Sequence, residues 1–282
     1  MGRVRLPFWL SIGVLSIVQG ALVAVPVIRA PITCLAHLGS RSWALIPPAS
    51  VVLFVIAVRA LGGESARTLT YIALVAIPPL AALALAYMVP RARPALALLV
   101  VPLFALAWVD GSGLAGEAAA VALSALSCVA LGVLIACVTP PRWLALGIIA
   151  MALADMALVI TDLLQAPNSV LNAVHPVAGL PRLQAAMFGS AVTGYGDLFV
   201  AGALGGLLAR IATRREQSAA AILTAALALI FDLLFFFVNE LPATVPVALA
   251  LVLLFAWRRL EARGTPAWRR VVRGVTAEGV RG

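Results

Sequence analysis

The feature that most constrains this chain is a series of long apolar runs that recurs along almost its whole length. A transmembrane helix needs about 20 residues to cross the hydrocarbon core of a bilayer. Nine runs reach or approach that length, and 63% of the 282 residues are apolar whereas only 11% are charged. No soluble core of this size needs so much apolar surface. The sequence therefore predicts an all-α, polytopic membrane protein.

We predict nine transmembrane helices, two of which (94–108 and 241–257) are short for a span. From residue 258 onward the chain is polar and rich in arginine. The sequence thus predicts one transmembrane domain over residues 1–257 and a short cytoplasmic tail over residues 258–282. The nine predicted spans are 7–28, 43–61, 69–89, 94–108, 114–138, 143–164, 185–209, 219–238 and 241–257.

The positive charge of the chain indicates its orientation in the membrane. Twenty arginines and no lysine give a net charge of +9, and the arginines stand at the ends of apolar runs. This placement is a topology signal, and we expect no nucleic-acid partner. With the C-terminus in the cytoplasm, 15 of the 20 arginines are cytoplasmic, as the positive-inside rule favours. We expect an integral protein of a prokaryotic plasma membrane, in contact with the lipid bilayer and with its C-terminus inside.

One acidic residue, Asp197, lies inside the apolar run 185–209 and directly follows Gly194, Tyr195 and Gly196. A carboxylate within a membrane span is costly, so it usually has a function. The neighbouring glycines, and further small residues at helical spacing after Asp197, let another helix approach closely. The sequence therefore predicts that Asp197 has a partner on a neighbouring helix.

Depth in the membrane selects the partner of Asp197. Three other aspartates lie in predicted spans: Asp155, Asp162 and Asp232. Asp155 follows Arg142, at the cytoplasmic end of its span, by 13 residues, and Asp197 precedes Arg210 by the same 13 residues. At about 1.5 Å per residue, both carboxyls lie about 20 Å from the inner ends of their helices. The other two aspartates lie nearer the outer surface, so we predict that Asp155 faces Asp197.

Two facing carboxyls at one depth do not both ionise readily, so they share a proton. One can act as a base toward water while the other donates to a substrate carbonyl, which is the chemistry of peptide hydrolysis. Proton or ion transport and a structural contact between helices use the same arrangement, so the residues alone leave these alternatives open. The three cysteines and two histidines show no metal-ligand spacing, and we expect no metal or organic cofactor.

These motifs resemble those of the presenilin and signal peptide peptidase family of intramembrane aspartyl proteases. Residues 194–197 match the family's GxGD motif in the seventh of nine spans, and Asp155 stands where the sixth span has the other catalytic aspartate. Pro242, Ala243 and Thr244, at the start of the ninth span, are similar to its Pro-Ala-Leu motif. The resemblance lies in the last four predicted spans, and the first five add nothing specific.

The resemblance implies a presenilin-like fold with a site formed by the spans 143–164, 185–209 and 241–257. Asp155 and Asp197 would be catalytic. The other motif residues would position the substrate: Gly194, Tyr195, Gly196, Pro242, Ala243 and Thr244. The implied substrates are transmembrane or signal-peptide segments of other membrane proteins. Because members with a cytoplasmic C-terminus are like signal peptide peptidase, we expect a preference for segments whose N-terminus is cytoplasmic.

The sequence departs from this family at two positions. Ala154 stands where the family usually has Tyr, and Thr244 stands where it has Leu. A catalytically silent membrane scaffold is therefore an alternative, beside a proton-coupled transporter. Prepilin peptidases also use a GxGD aspartate, and in a resemblance to them Asp162, followed by Pro167 and Asn168, would be the partner of Asp197.

Overall fold

The computed structural model describes residues 6–29, 34–234 and 241–264. Most of the predicted tail and the end of the predicted eighth span lie outside these ranges. The described residues form a β-hairpin, with strands β1 (Ala185–Phe188) and β2 (Ala191–Gly194), and ten α-helices: α1 (Phe8–Ala24), α2 (Ile46–Leu61), α3 (Gly63–Leu83), α4 (Val100–Val109), α5 (Leu114–Val138), α6 (Pro141–Ile160), α7 (Gln165–Ala173), α8 (Tyr195–Ile211), α9 (Arg214–Leu233) and α10 (Val245–Gly264).

Short stretches of other helix types lengthen three of these helices. A 3-10 turn at Arg41–Leu45 precedes α2, a π-helical turn at Ala84–Met88 follows α3, and a 3-10 turn at Pro94–Leu99 precedes α4. Within the described ranges, five helical stretches are long and apolar enough to cross a membrane: Arg41–Leu61, Gly63–Met88, Leu114–Val138, Pro141–Ile160 and Arg214–Leu233. This helical, apolar architecture is that expected of an integral membrane protein.

The predicted span 185–209 is not one helix. Its first ten residues form the antiparallel hairpin, in which Ala185 pairs with Gly194 and Phe188 with Ala191, and α8 begins only at Tyr195. Gly189 makes the tight turn between the strands, with a φ of 61° that favours glycine. Hydropathy does not distinguish a short strand from a buried helix. The helix predicted from hydropathy is therefore wrong for residues 185–194.

The predicted ninth span, 241–257, is displaced along the chain. Residues 241–244 are not helical, and α10 runs from Val245 to Gly264, two turns past the predicted end. Arg258, predicted to begin the tail, lies inside α10, where its Nε is 2.7 Å from Oε1 of Glu216 on α9. This ion pair joins the C-terminal part of α10 to the first turn of α9.

The core of the fold is built around α8, whose residues from Leu198 to Leu208 are all buried. Three glycines on α8 remove the side chains that would separate it from its neighbours. A methyl group at Gly202 would overlap the carbonyl oxygen of Cys128 on α5, and one at Gly205 would overlap that of Leu22 on α1. Gly206 meets the α5 backbone in the same way. The expected close approach of neighbouring helices to this segment is thus present.

One end of the molecule is rich in arginine side chains that bind backbone carbonyls. Arg210 donates to the carbonyl of Ala136 near the end of α5 (2.6 Å), and Arg214 donates to that of Ala24 at the end of α1 (3.2 Å). A helix leaves its last carbonyls unpaired and is negative at that end, so a cation stabilises it. This surface, which we call the arginine-rich end, comprises Arg29, Arg210, Arg214 and Arg258.

The contact between α5 and α8 predicts different effects of the same substitution at two helical glycines. Gly202→Ala places a methyl group against a backbone carbonyl, so it should destabilise the fold by about 1–3 kcal/mol. Gly13→Ala on α1 meets no atom within 4 Å, so it should be neutral or stabilise by up to about 1 kcal/mol. The thermal unfolding midpoint in detergent tests this difference. Equal midpoints for the two variants would contradict the close contact.

Candidate functional site

Asp155 lies on α6, five residues before the helix ends, and is 4% exposed. Its Oδ2 atom accepts two hydrogen bonds from Thr244, one from the hydroxyl at 2.6 Å and one from the backbone N–H at 3.4 Å. Thr244 is 1% exposed and directly precedes α10. The third predicted motif therefore lies beside Asp155.

Asp197 lies in the first turn of α8, although the sequence predicted it in the middle of a span. Its Oδ2 accepts a hydrogen bond from the N–H of Gly194, the last residue of β2, at 3.1 Å. A carboxylate three residues after the helix cap binds a free N–H and is favoured by the positive end of the helix. The glycine–aspartate motif thus ends the hairpin and begins the helix.

Asp155 and Asp197 lie at matching positions along two helices, α6 and α8, that pack against each other. Asp155 follows the first residue of α6, Pro141, by 14 residues, and Asp197 precedes the last residue of α8, Ile211, by 14. One turn before Asp155, the Met151 side chain lies 3.5 Å from where a methyl group on Gly196 would be. The two carboxyls are near enough for their charges to interact.

The other two aspartates differ in their relation to this pair. Asp162 follows the end of α6, is exposed, and has a φ of 52°. It does not share the interior position of Asp155. Asp232 on α9 is half-buried, accepts a hydrogen bond from the Ser16 hydroxyl on α1 at 2.9 Å, and is near enough to interact electrostatically with Asp197. A third acid therefore lies close to the pair.

Three further motif residues, Tyr195, Pro242 and Ala243, lie on the chain segments that adjoin the two aspartates. The Tyr195 hydroxyl is 2.7 Å from that of Ser127 on α5, which ties the start of α8 to the neighbouring helix. Pro242 and Ala243 precede the first turn of α10, where the Val245 N–H donates to the Pro242 carbonyl at 3.1 Å. These contacts hold two chain segments next to the aspartates.

The residues that hold the turn of the hairpin, Glu117 and Ser11, were not predicted from the sequence. The N–H of Gly189 donates to Oε2 of Glu117 on α5 at 2.7 Å, and the N–H of Ser190 donates to the hydroxyl of Ser11 on α1 at 3.2 Å. Gly189 and Glu117 are 72 residues apart in sequence, and Ser190 and Ser11 are 179 residues apart. Local sequence patterns therefore carry no signal for these two contacts. They fix the turn of the hairpin and, through β2, the start of α8.

No family model, curated protein or solved structure matches this chain. Within residues 6–29, 34–234 and 241–264, no group of three or more His, Cys, Asp or Glu side chains is placed to hold a metal ion. The chemistry of this site depends on the carboxyls of Asp155 and Asp197 and on the groups that contact them.

Proposed function

We propose that this protein is an intramembrane aspartyl endopeptidase that hydrolyses transmembrane or signal-peptide segments of other membrane proteins. The observation that carries the proposal is that Asp155 and Asp197 lie on helices that pack against each other, with Thr244 of the third motif bound to Asp155. A carboxyl within an apolar helical protein is costly, and a facing pair is the arrangement that acid–base hydrolysis of a peptide requires.

In this mechanism the two carboxyls share one proton, because two negative charges this close repel each other. The ionised carboxyl takes a proton from a water molecule as the water oxygen attacks the carbonyl carbon of the substrate. The protonated carboxyl donates its proton to the carbonyl oxygen, which gives a neutral tetrahedral intermediate. The carbon–nitrogen bond then breaks as the first carboxyl gives its proton to the nitrogen and the second takes a proton from a hydroxyl of the intermediate, so the pair returns to its starting state.

The hairpin offers a way to hold an unwound substrate. A helical segment buries its peptide carbonyls in its own hydrogen bonds, so it must unwind before it is cut. Among the described strands β2 pairs only with β1, and Val192 on β2 is 47% exposed. An extended segment can add to such an edge through backbone hydrogen bonds. Because β2 ends three residues before Asp197, a segment bound there lies next to the pair.

We further propose nine membrane passes, with the arginine-rich end in the cytoplasm. The apolar helices run alternately toward and away from that end, and positive charge is enriched on cytoplasmic loops. In this arrangement the nine spans are the five longer apolar helices together with α1, α4, α8 and α10. The hairpin covers the outer end of α8. The C-terminus is then cytoplasmic, as the arginine count favours.

One observation favours a second function, a proton-coupled transporter. Asp232 lies near Asp197, so a third acid adjoins the pair, as in proton relays of pumps and carriers. Under this alternative Asp232 would be as important as Asp155. The prepilin-peptidase alternative is less favoured, because Asp162 is exposed beyond the end of α6.

Substitution of each aspartate by asparagine separates these functions. Asp155→Asn and Asp197→Asn should each lower cleavage of a transmembrane reporter at least about 100-fold, because each removes one partner of the acid–base pair. Asp162→Asn is the matched control and should retain activity. The measurement is the cleavage rate of purified protein in detergent, with the unfolding midpoint as a check on folding. Full activity of Asp155→Asn together with loss in Asp162→Asn would favour the prepilin-type pair instead.

The proposed orientation predicts which way a substrate must cross the membrane. A site with fixed handedness accepts an extended chain in one direction, so segments with a cytoplasmic N-terminus should be cut faster than the same segment reversed. A matched pair of reporters carrying one segment in both orientations measures this preference in cells. Gly, Ser or Pro near the cut should speed cleavage because they weaken the helix, and a run of Leu should slow it. Equal cleavage of both orientations would contradict the proposed topology.

A further inference from the structure

Thr244 directs two hydrogen-bond donors at a single oxygen of Asp155. The hydroxyl is 2.6 Å and the backbone nitrogen 3.4 Å from Oδ2. The shorter distance is in the range of a hydroxyl that donates to a carboxylate, which is among the stronger hydrogen bonds in proteins. All hydrogen bonds from described residues to the Asp155 carboxyl go to Oδ2. Its two carboxyl oxygens are therefore in different environments.

The Thr244 hydroxyl is not used as threonine hydroxyls at helix starts usually are. Thr213 shows the usual arrangement: it precedes α9, and its Oγ1 accepts a hydrogen bond from the N–H of Glu216 at 3.3 Å. Thr244 has the corresponding position before α10, since its carbonyl accepts the N–H of Ala248 at 3.2 Å. Among the described residues, however, no N–H donates to Thr244 Oγ1. Its hydroxyl donates a hydrogen bond to Asp155 instead of capping the helix.

Two donors on Oδ2 have a chemical consequence for the pair. An oxygen that accepts two hydrogen bonds acts as an acceptor and has no room for a proton of its own. The proton that Asp155 and Asp197 share is thereby excluded from Oδ2, and Oδ1 is the oxygen left for that proton and for water. The same two bonds stop rotation of the carboxyl group, so its reacting oxygen keeps one position.

We propose that Thr244 is a positioning residue that holds Asp155 with Oδ2 as a fixed acceptor and Oδ1 as its reacting oxygen. This inference rests on the proposed protease function and deepens it. The leucine that stands at this position in the resembled family has no hydroxyl and cannot make the contact. The threonine that replaces this leucine therefore contacts Asp155 directly, and its presence does not indicate a catalytically silent site.

Two substitutions at Thr244 and a matched one at Thr213 test the role in turnover. Thr244→Val removes the hydroxyl and keeps the shape and the N–H, so kcat for a transmembrane reporter should fall about 10- to 100-fold, as expected when a hydrogen bond to a charged group is lost. KM should stay unchanged, because Thr244 contacts Asp155 and not the substrate. Thr244→Ser retains the donor and should restore kcat. Thr213→Val removes an ordinary helix cap and should leave kcat unaltered.

The infrared spectrum tests the contact without relying on turnover. Thr244→Val should shift a carboxyl band of the purified protein, Thr244→Ser should not, and the shift should vanish when Asp155→Asn is also present. An unchanged kcat in Thr244→Val, a slow Thr244→Ser, or an equal loss in Thr213→Val overturns the positioning role. Absence of the band shift overturns the contact itself. If the wild type cleaves no membrane segment, the proposed function fails, while the infrared result still decides whether the hydroxyl holds Asp155.

Discussion

Direct backbone contact between α5 and α8 is the constraint on which the site depends. Gly202 and Gly206 leave no side chain between the two helices, so α8 has one position against α5. The helices that carry or adjoin the other acids, α6, α9 and α10, all pack on α8 as well. Asp197 lies in the first turn of this central helix, and its position relative to Asp155 follows from how closely α8 is held.

The equal spacing of the two aspartates from the inner ends of their helices is predictable from sequence because the rise of an α-helix is constant. Counting from Arg142 and Arg210 gives equal depths, and the ends of α6 and α8 give the same result in the structure. The apolar runs also predict the helical membrane fold. Both inferences depend on regular periodicity and on hydrophobic length, which are local properties of the chain.

The hairpin and the role of Thr244 are not predictable in this way. Residues 185–194 begin an apolar run, and what makes them a hairpin is the Gly189–Ser190 turn between two short apolar runs, held by Glu117 and Ser11 from distant parts of the sequence. Thr244 reaches Asp155 across 89 residues of chain. From the sequence this threonine is only a departure from a motif, whereas the structure makes it a direct partner of the acid. Long-range hydrogen bonds leave no periodic signal.

The central claim is that the facing carboxyls hydrolyse peptide bonds within membrane segments. The most direct measurement is incubation of the purified protein with a generic transmembrane substrate, with and without an aspartyl-protease transition-state inhibitor, followed by mass spectrometry of the products. The account predicts cleavage inside the apolar segment that the inhibitor blocks. Intact substrate after incubation with folded protein, or cleavage that the inhibitor leaves unaffected, would contradict it.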